Sequence, residues 1–206
     1  MWNSIKTFAS TAVGYVNWTT SHTMPEAELD KVRALLTDNY YIILTRHDGH
    51  LSAYAVALAH RVLTGKPGYY AHVLLNVEDG VTSDNDYEFI EATIEGVHYS
   101  KFSSVFDPQV SGVCLMKPKP ITIEEWTGIL DKARSDLGKP YDLALDPTQS
   151  KCLNCVELVR DALQAEPHYT TAFSELENMI KKYGNNLDPH MIYDCSSFEI
   201  VYEYRA

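Results

Sequence analysis

Basic residues are scarce in this chain. Lysine and arginine number 17 against 28 aspartates and glutamates, giving a net charge of -11 over 206 residues. A chain this acidic is repelled by phosphate backbones, and no basic run offsets it, which excludes nucleic acid as a partner. Cysteine is scarce too. Cys114, Cys152, Cys155 and Cys195 are too few for a disulfide scaffold in a chain of this length, and the reading that follows is reduced thiols in a cytoplasmic compartment. No apolar run reaches membrane-spanning length. Residues 1–18 carry one lysine, and Ser10, Thr11 and Gly14 interrupt their apolar positions, so they read as neither a signal peptide nor a span. Internal repeats and low-complexity stretches are absent.

What remains is a balanced globular composition, 45% hydrophobic and 22% charged. Its length suits one domain over residues 1–206, with residues 1–30 as an N-terminal helical extension. Within that extension Trp2, Ile5, Phe8, Ala12, Val13 and Val16 recur at helical spacing. A helix packed on the core or on a neighbour is favoured over membrane contact by residues 1–18, because one lysine makes no basic face.

The patterning alternates between helices and strands. Pro25 and Glu26 open a helix through Leu36, and Tyr40–Leu44 is a buried strand. Asp48-Gly49 signals a turn before an alanine-rich helix over 52–63, which Gly65 ends. Residues 70–77 form a strand, and Asp79-Gly80 a turn. Residues 87–94 and 96–102 pair about Glu95-Gly96, and 111–116 is a further strand. Thr122 caps a helix to Leu137, with Glu125 in capping-box spacing. Helices over 155–165 and 171–183 and a strand over 198–204 follow. Strands in a central block between helical segments predict an α+β fold.

The chemistry gathers in Asn154-Cys155-Val156-Glu157-Leu158-Val159. Asn154 is a good N-cap residue, so the helix starts at Cys155. A thiol there faces the positive end of the helix dipole, which favours thiolate, the nucleophilic form. The Cys155 N–H is placed to bind a developing oxyanion. His72, in an otherwise apolar strand, is the candidate base. Glu91 ends Tyr87-Glu88-Phe89-Ile90-Glu91 and shares a strand face with Phe89. Pointing inward, its carboxylate needs a partner, and an imidazole N–H would serve. His98 is a rival for that third place. Tyr141 and Asn154 are candidate substrate-binding residues. Against this stands a buried, inert Cys155. Cys152 and Cys155 also make a CxxC, with spacing that suits zinc or dithiol exchange. Cys114 and Cys195 are isolated and supply no second ligand pair.

With these residues in place the chain resembles the permuted papain-like cysteine hydrolases of the NlpC superfamily, in the YiiX/YebB-like branch. Tyr70-Ala71-His72-Val73 is similar to that family's Tyr-Ser-His-Val, and it follows a helix ending Val62-Leu63-Thr64-Gly65. Phe89-Ile90-Glu91-Ala92, Gly138-Lys139-Pro140-Tyr141-Asp142 and Cys155-Val156-Glu157-Leu158-Val159 resemble its later signatures in order. Leu187-Asp188-Pro189 resembles a Thr-Pro segment beyond the cysteine helix. The resemblance spans residues 38–200. Ala71 and Val156 depart from it, each standing where the family has serine.

The resemblance implies a papain-like core, a helix bearing Cys155 packed on an antiparallel sheet bearing His72 and Glu91. It implies Cys155 as nucleophile, His72 as base and Glu91 as the residue that orients it. The expected activity is an amidase or peptidase acting on a peptide, small amide or lipid conjugate, with no cofactor and no metal. Two alternatives stay open. One is a lipid acyltransferase or thioesterase of the lecithin retinol acyltransferase type, whose Asn-Cys motif Asn154-Cys155 resembles. The other is a non-catalytic structural or binding relative of the fold.

Overall fold

The architecture follows from strands whose two faces are both apolar. The computed structural model describes residues 23–37, 40–48, 51–77, 89–119, 121–143, 151–166, 170–183 and 188–206. Among these the order is α1 (Glu26–Leu36), β1 (Ile42–His47), α2 (Leu51–Thr64), β2 (His72–Asn76), β3 (Phe89–Thr93) and β4 (Gly96–Ser100). Then come α3 (Phe102–Val105), β5 (Val110–Pro118), α4 (Ile123–Ser135), α5 (Cys155–Gln164), α6 (Thr170–Lys182), α7 (Pro189–Tyr193) and β6 (Phe198–Arg205). The chain is α+β. Its strands form one sheet in the order β4-β3-β2-β1-β5-β6, and every neighbouring pair is antiparallel.

Strand alternation splits the interior into two layers. Ile42, Leu44, Val73, Leu75, Cys114 and Met116 face a cluster shared with α4, α5, α6 and α7. Tyr41, Ile43, Leu74, Val113 and Leu115 face the other, closed by Val32 of α1 and by Phe102 and Val105 of α3. Covering both faces explains why these strands read as continuous apolar runs rather than as alternation. Helix α5 presents Val156, Val159 and Leu163 to the first layer, all essentially inaccessible. Truncating one such leucine to alanine typically costs about 2–5 kcal/mol.

Two details of the sheet position the site. Strands β2 and β3 pair only at Leu75↔Ile90 and Asn76↔Phe89, although β2 begins at His72 and β3 runs on to Thr93. Beyond those two rungs the strands part, and α5 packs against both. At the β4 edge the Val97 N–H donates to the Lys139 carbonyl at 2.9 Å, and the Gly138 N–H returns a bond to the Val97 carbonyl at 2.9 Å. Gly96 makes this contact feasible. Its φ is +97°, and a Cβ there would sit 2.5 Å from the Lys139 oxygen.

The predicted helices and strands fall within a few residues of those observed. Helices α3 and α7, of four and five residues, are too short to leave a periodicity in the sequence. The helix expected within residues 1–18, and with it the 1–30 extension up to residue 22, lies outside the described residues. So do Gly49, the Asp79-Gly80 turn and Leu187. No described helix is long and apolar enough to cross a membrane.

Candidate active site

Cys155 is the first residue of α5, and the helix start is doubly fixed. The Val156 and Glu157 N–H groups both donate to Asn154 Oδ1 at 3.0 Å, while the Asn154 N–H donates to Glu157 Oε2 at 2.8 Å. This is a complete capping box, which satisfies donors that a helix start leaves open. It takes up the amides of Val156 and Glu157 rather than that of Cys155. Upstream, the Leu153 N–H donates to the Pro140 carbonyl at 3.0 Å, and the Asp142 N–H to the Leu153 carbonyl at 3.2 Å. That clip lays Tyr141 alongside the helix start in a parallel bridge with Leu153.

His72 stands where β2 and β3 part. Its Nε2 lies 2.6 Å from Glu91 Oε2, and Cys155 lies near enough to bear on its charge and lines the same cleft. With Nε2 held by Glu91, Nδ1 is the nitrogen left for sulfur. Burial opposes a charged ring, but nearby Cys155 and the bonded Glu91 outweigh it and push His72 up to about 10. Burial would raise Glu91 as well. The bond and charge of His72, helped by Ser100 and His98, instead hold it down at about 2. The pair is therefore imidazolium and carboxylate across neutral pH.

These groups open onto a cleft of about 450 Å³ that Cys155, His72, Glu91 and Tyr141 all line, with His47, Ala53, Val56, Ala71 and Val105 among the other walls. Cys155 is 6% exposed, so its sulfur meets solvent only through this opening. Asn154 does not line the cleft, since its side chain is buried in the cap. Tyr141 faces Cys155, and burial, then the nearby negative groups, push its phenol above the usual range. Burial and then Asp142 raise Glu157, one turn inside the helix, to about 7 despite its bond from the Asn154 amide.

His98 does not take the third place. Its Nδ1 lies 2.9 Å from the Gly96 carbonyl, and its Nε2 is 3.7 Å from Glu91 Oε1, the oxygen away from His72. That oxygen instead accepts a hydrogen bond from Ser100 Oγ. Ser100 carried no signal in the sequence, because a serine ending a strand is an ordinary surface residue. None of the four cysteines is in a disulfide, and Cys152 and Cys155 belong to no metal-ligating cluster among the described residues. Burial pushes the Cys114 and Cys195 thiols up to about 12 each, with Glu203 and Glu175 adding to it, so both stay protonated.

A second polar group is buried elsewhere. His60 of α2 lies 3.0 and 3.1 Å from the two Asp188 oxygens, and the His190 ring is 4.6 Å from that of His60. No sequence pattern hints at this group, since 128 residues separate His60 from Asp188.

Fold and site together define a class of arrangement. A helix-borne cysteine and a strand-borne histidine–glutamate pair line one cleft where the helix packs on an antiparallel sheet. Comparison with protein-family models gives no match, and comparison with curated proteins gives none. Among solved structures the chain is similar in fold to the metalloprotein yiiX from Escherichia coli O157:H7. The TM-score is 0.56 at 16% identity, and the likeness covers 82% of this chain and 99% of that one. At that identity the likeness establishes a shared yiiX-like fold.

Proposed function

We propose that this protein is a cysteine-dependent hydrolase of amide bonds, built on a permuted papain-like core. One observation carries the reading: His72, bonded to Glu91, and Cys155 line one open cleft. Cys155 Sγ attacks the carbonyl carbon, and the oxyanion is met by the Cys155 N–H at the start of α5. The His72 imidazolium gives its proton to the leaving nitrogen as the C–N bond breaks, leaving an acyl-thioester on sulfur. Water then attacks the thioester, His72 takes its proton, and the acid departs as the thiolate re-forms beside the imidazolium. Glu91 stays ionised throughout and keeps the ring in register. Tyr141 forms one wall of the acyl pocket. The substrates that suit the cleft are a peptide, a small amide or a lipid conjugate.

The acyltransferase arrangement is less well supported, since His98 bonds its own turn and reaches only the far oxygen of Glu91. The metalloprotein description of the structural neighbour raises the question of a metal here. At the cleft, His72 Nε2 and both Glu91 oxygens already have partners, so no step is routed through one. Buried nitrogens without partners lie instead on His60 and His190.

The test is thiol reactivity joined to acyl trapping. At neutral pH iodoacetamide should modify Cys155 at least tenfold faster than Cys152, and p-nitrophenyl acetate should leave an acetyl adduct on Cys155. His72→Ala should suppress both. Equal alkylation of the two thiols, with no adduct, would refute the hydrolase.

A further inference from the structure

The group around His60 has donors that nothing in the cleft mechanism uses. His60 is 1% exposed, and its Nδ1 is fixed by Asp188. Donation from Nδ1–H to that carboxylate sets the tautomer and leaves a lone pair on Nε2, a buried atom without a partner. His190 is 5% exposed, and both of its ring nitrogens are buried and unpartnered. Leaving such a group unsatisfied costs about 1–3 kcal/mol per atom. Three orphaned nitrogens in one place therefore point to something that completes them.

Asp194, four residues beyond His190, supplies a carboxylate. One ligand atom from each of His60, His190 and Asp194 lies within 4.8 Å of the others. We propose that these three residues bind a divalent cation of the zinc class, at a site distinct from Cys155, that ties α2 to α7. The donor set is two nitrogens and one oxygen, which suits zinc or cobalt over the all-oxygen preference of calcium and magnesium. Asp188 supplies the carboxylate behind a metal-bound imidazole, the usual means of holding such a ring. The rings of Tyr70 and Tyr193 wall the other side of His190.

Closure asks for modest movement. Zinc bonds of about 2.0–2.1 Å bring tetrahedral donors closer together than 4.8 Å, so the side chains draw inward. Lys66 holds Asp194 Oδ2 at 2.8 Å from a largely exposed position and can give way to the cation. The Arg205 charge lies near but is paired with Glu203 at 2.6 Å. Gly68 keeps the chain after α2 pressed on His60, where an added Cβ would come within 2.9 Å of the His60 Cβ.

The experiment uses the full chain in a Cys152→Ser, Cys155→Ser background, so that thiols cannot compete. After chelator treatment, zinc and cobalt are titrated, with native mass spectrometry, cobalt visible absorption and thermal melting as readouts. One ion per chain should bind, and at a hundredfold excess over Kd the Tm should rise by about 5 °C or more. His190→Ala should abolish the bound ion, and Asp194→Asn, nearer the surface, should weaken binding by at least tenfold. No bound ion in the folded parent would overturn the site, leaving the orphaned nitrogens to water. So would undiminished binding in a folded Asp194→Asn protein.

Discussion

Among the described residues two histidines hydrogen-bond a carboxylate side chain, and these first contacts are nearly alike. His72 meets Glu91 at 2.6 Å, and His60 meets Asp188 at 3.0 Å. They part at the second ring nitrogen. For His72 it belongs to a ring that lines a cleft with the Cys155 thiol. For His60 it faces a closed space beside a second imidazole whose own nitrogens are bare. The carboxylate orients the ring in both places and does not choose the chemistry. In the roles proposed above, what stands opposite decides between a proton donor and a ligand.

The comparison breaks most sharply if the two histidines are exchangeable. His72→Ala should slow Cys155 acylation by about 10²–10⁴-fold while leaving the zinc response intact. His60→Gln should lose that response and keep the alkylation rate within about threefold. Acylation rates and zinc-dependent melting on both variants make the check, and an acylation loss in both would merge the two regions into one site.

Next in size is Asp188→Ala. It removes the partner of a buried ring and also uncaps α7, because the His190 N–H donates to Asp188 Oδ1 at 2.9 Å. The two losses together are worth about 2–4 kcal/mol. Thermal melting of the metal-free protein should show a drop of about 5–10 °C.

The pH dependence sharpens the His72 side. His72 is raised from 6.5 to about 10, so its contribution to stability is fully present below 6.5 and is lost as pH rises through 10. Glu91 is lowered from 4.5 to about 2, so its contribution is present above 4.5 and is lost as pH falls through 2. The pair thus supports the fold fully between 4.5 and 6.5 and weakens on either side. In Glu91→Gln the His72 titration, followed by NMR, should drop from about 10 towards 6.5. The smallest effect is expected from Ser100→Ala. It removes one hydrogen bond to Glu91 and should change the Cys155 alkylation rate by less than tenfold.

Much of the cleft was legible because its members advertise themselves locally. Asn154 before an amphipathic stripe marks a helix start, and a histidine or glutamate inside an apolar strand is conspicuous. Their meeting was not legible from the residues alone, since it depends on β2 and β3 parting after two rungs, a matter of register. Asn154 shows the limit of local reading. Its amide type suits substrate binding and capping equally, the sequence reading names it for both, and the bonds from the Val156 and Glu157 amides show the capping role. The His60 group left no trace because its members come from distant segments with no spacing rule to join them.

The loop that clasps β4 through Lys139 has a consequence beyond positioning. A strand at the margin of a sheet is an invitation to strands of other molecules. At Val97 the local chain already occupies both the N–H and the carbonyl, and Pro140 adds no donor of its own. The segment that delivers Tyr141 to the cleft therefore also guards this margin against self-association. Cleft lining and edge protection share one short stretch of backbone, and its approach to β4 depends on a glycine at position 96.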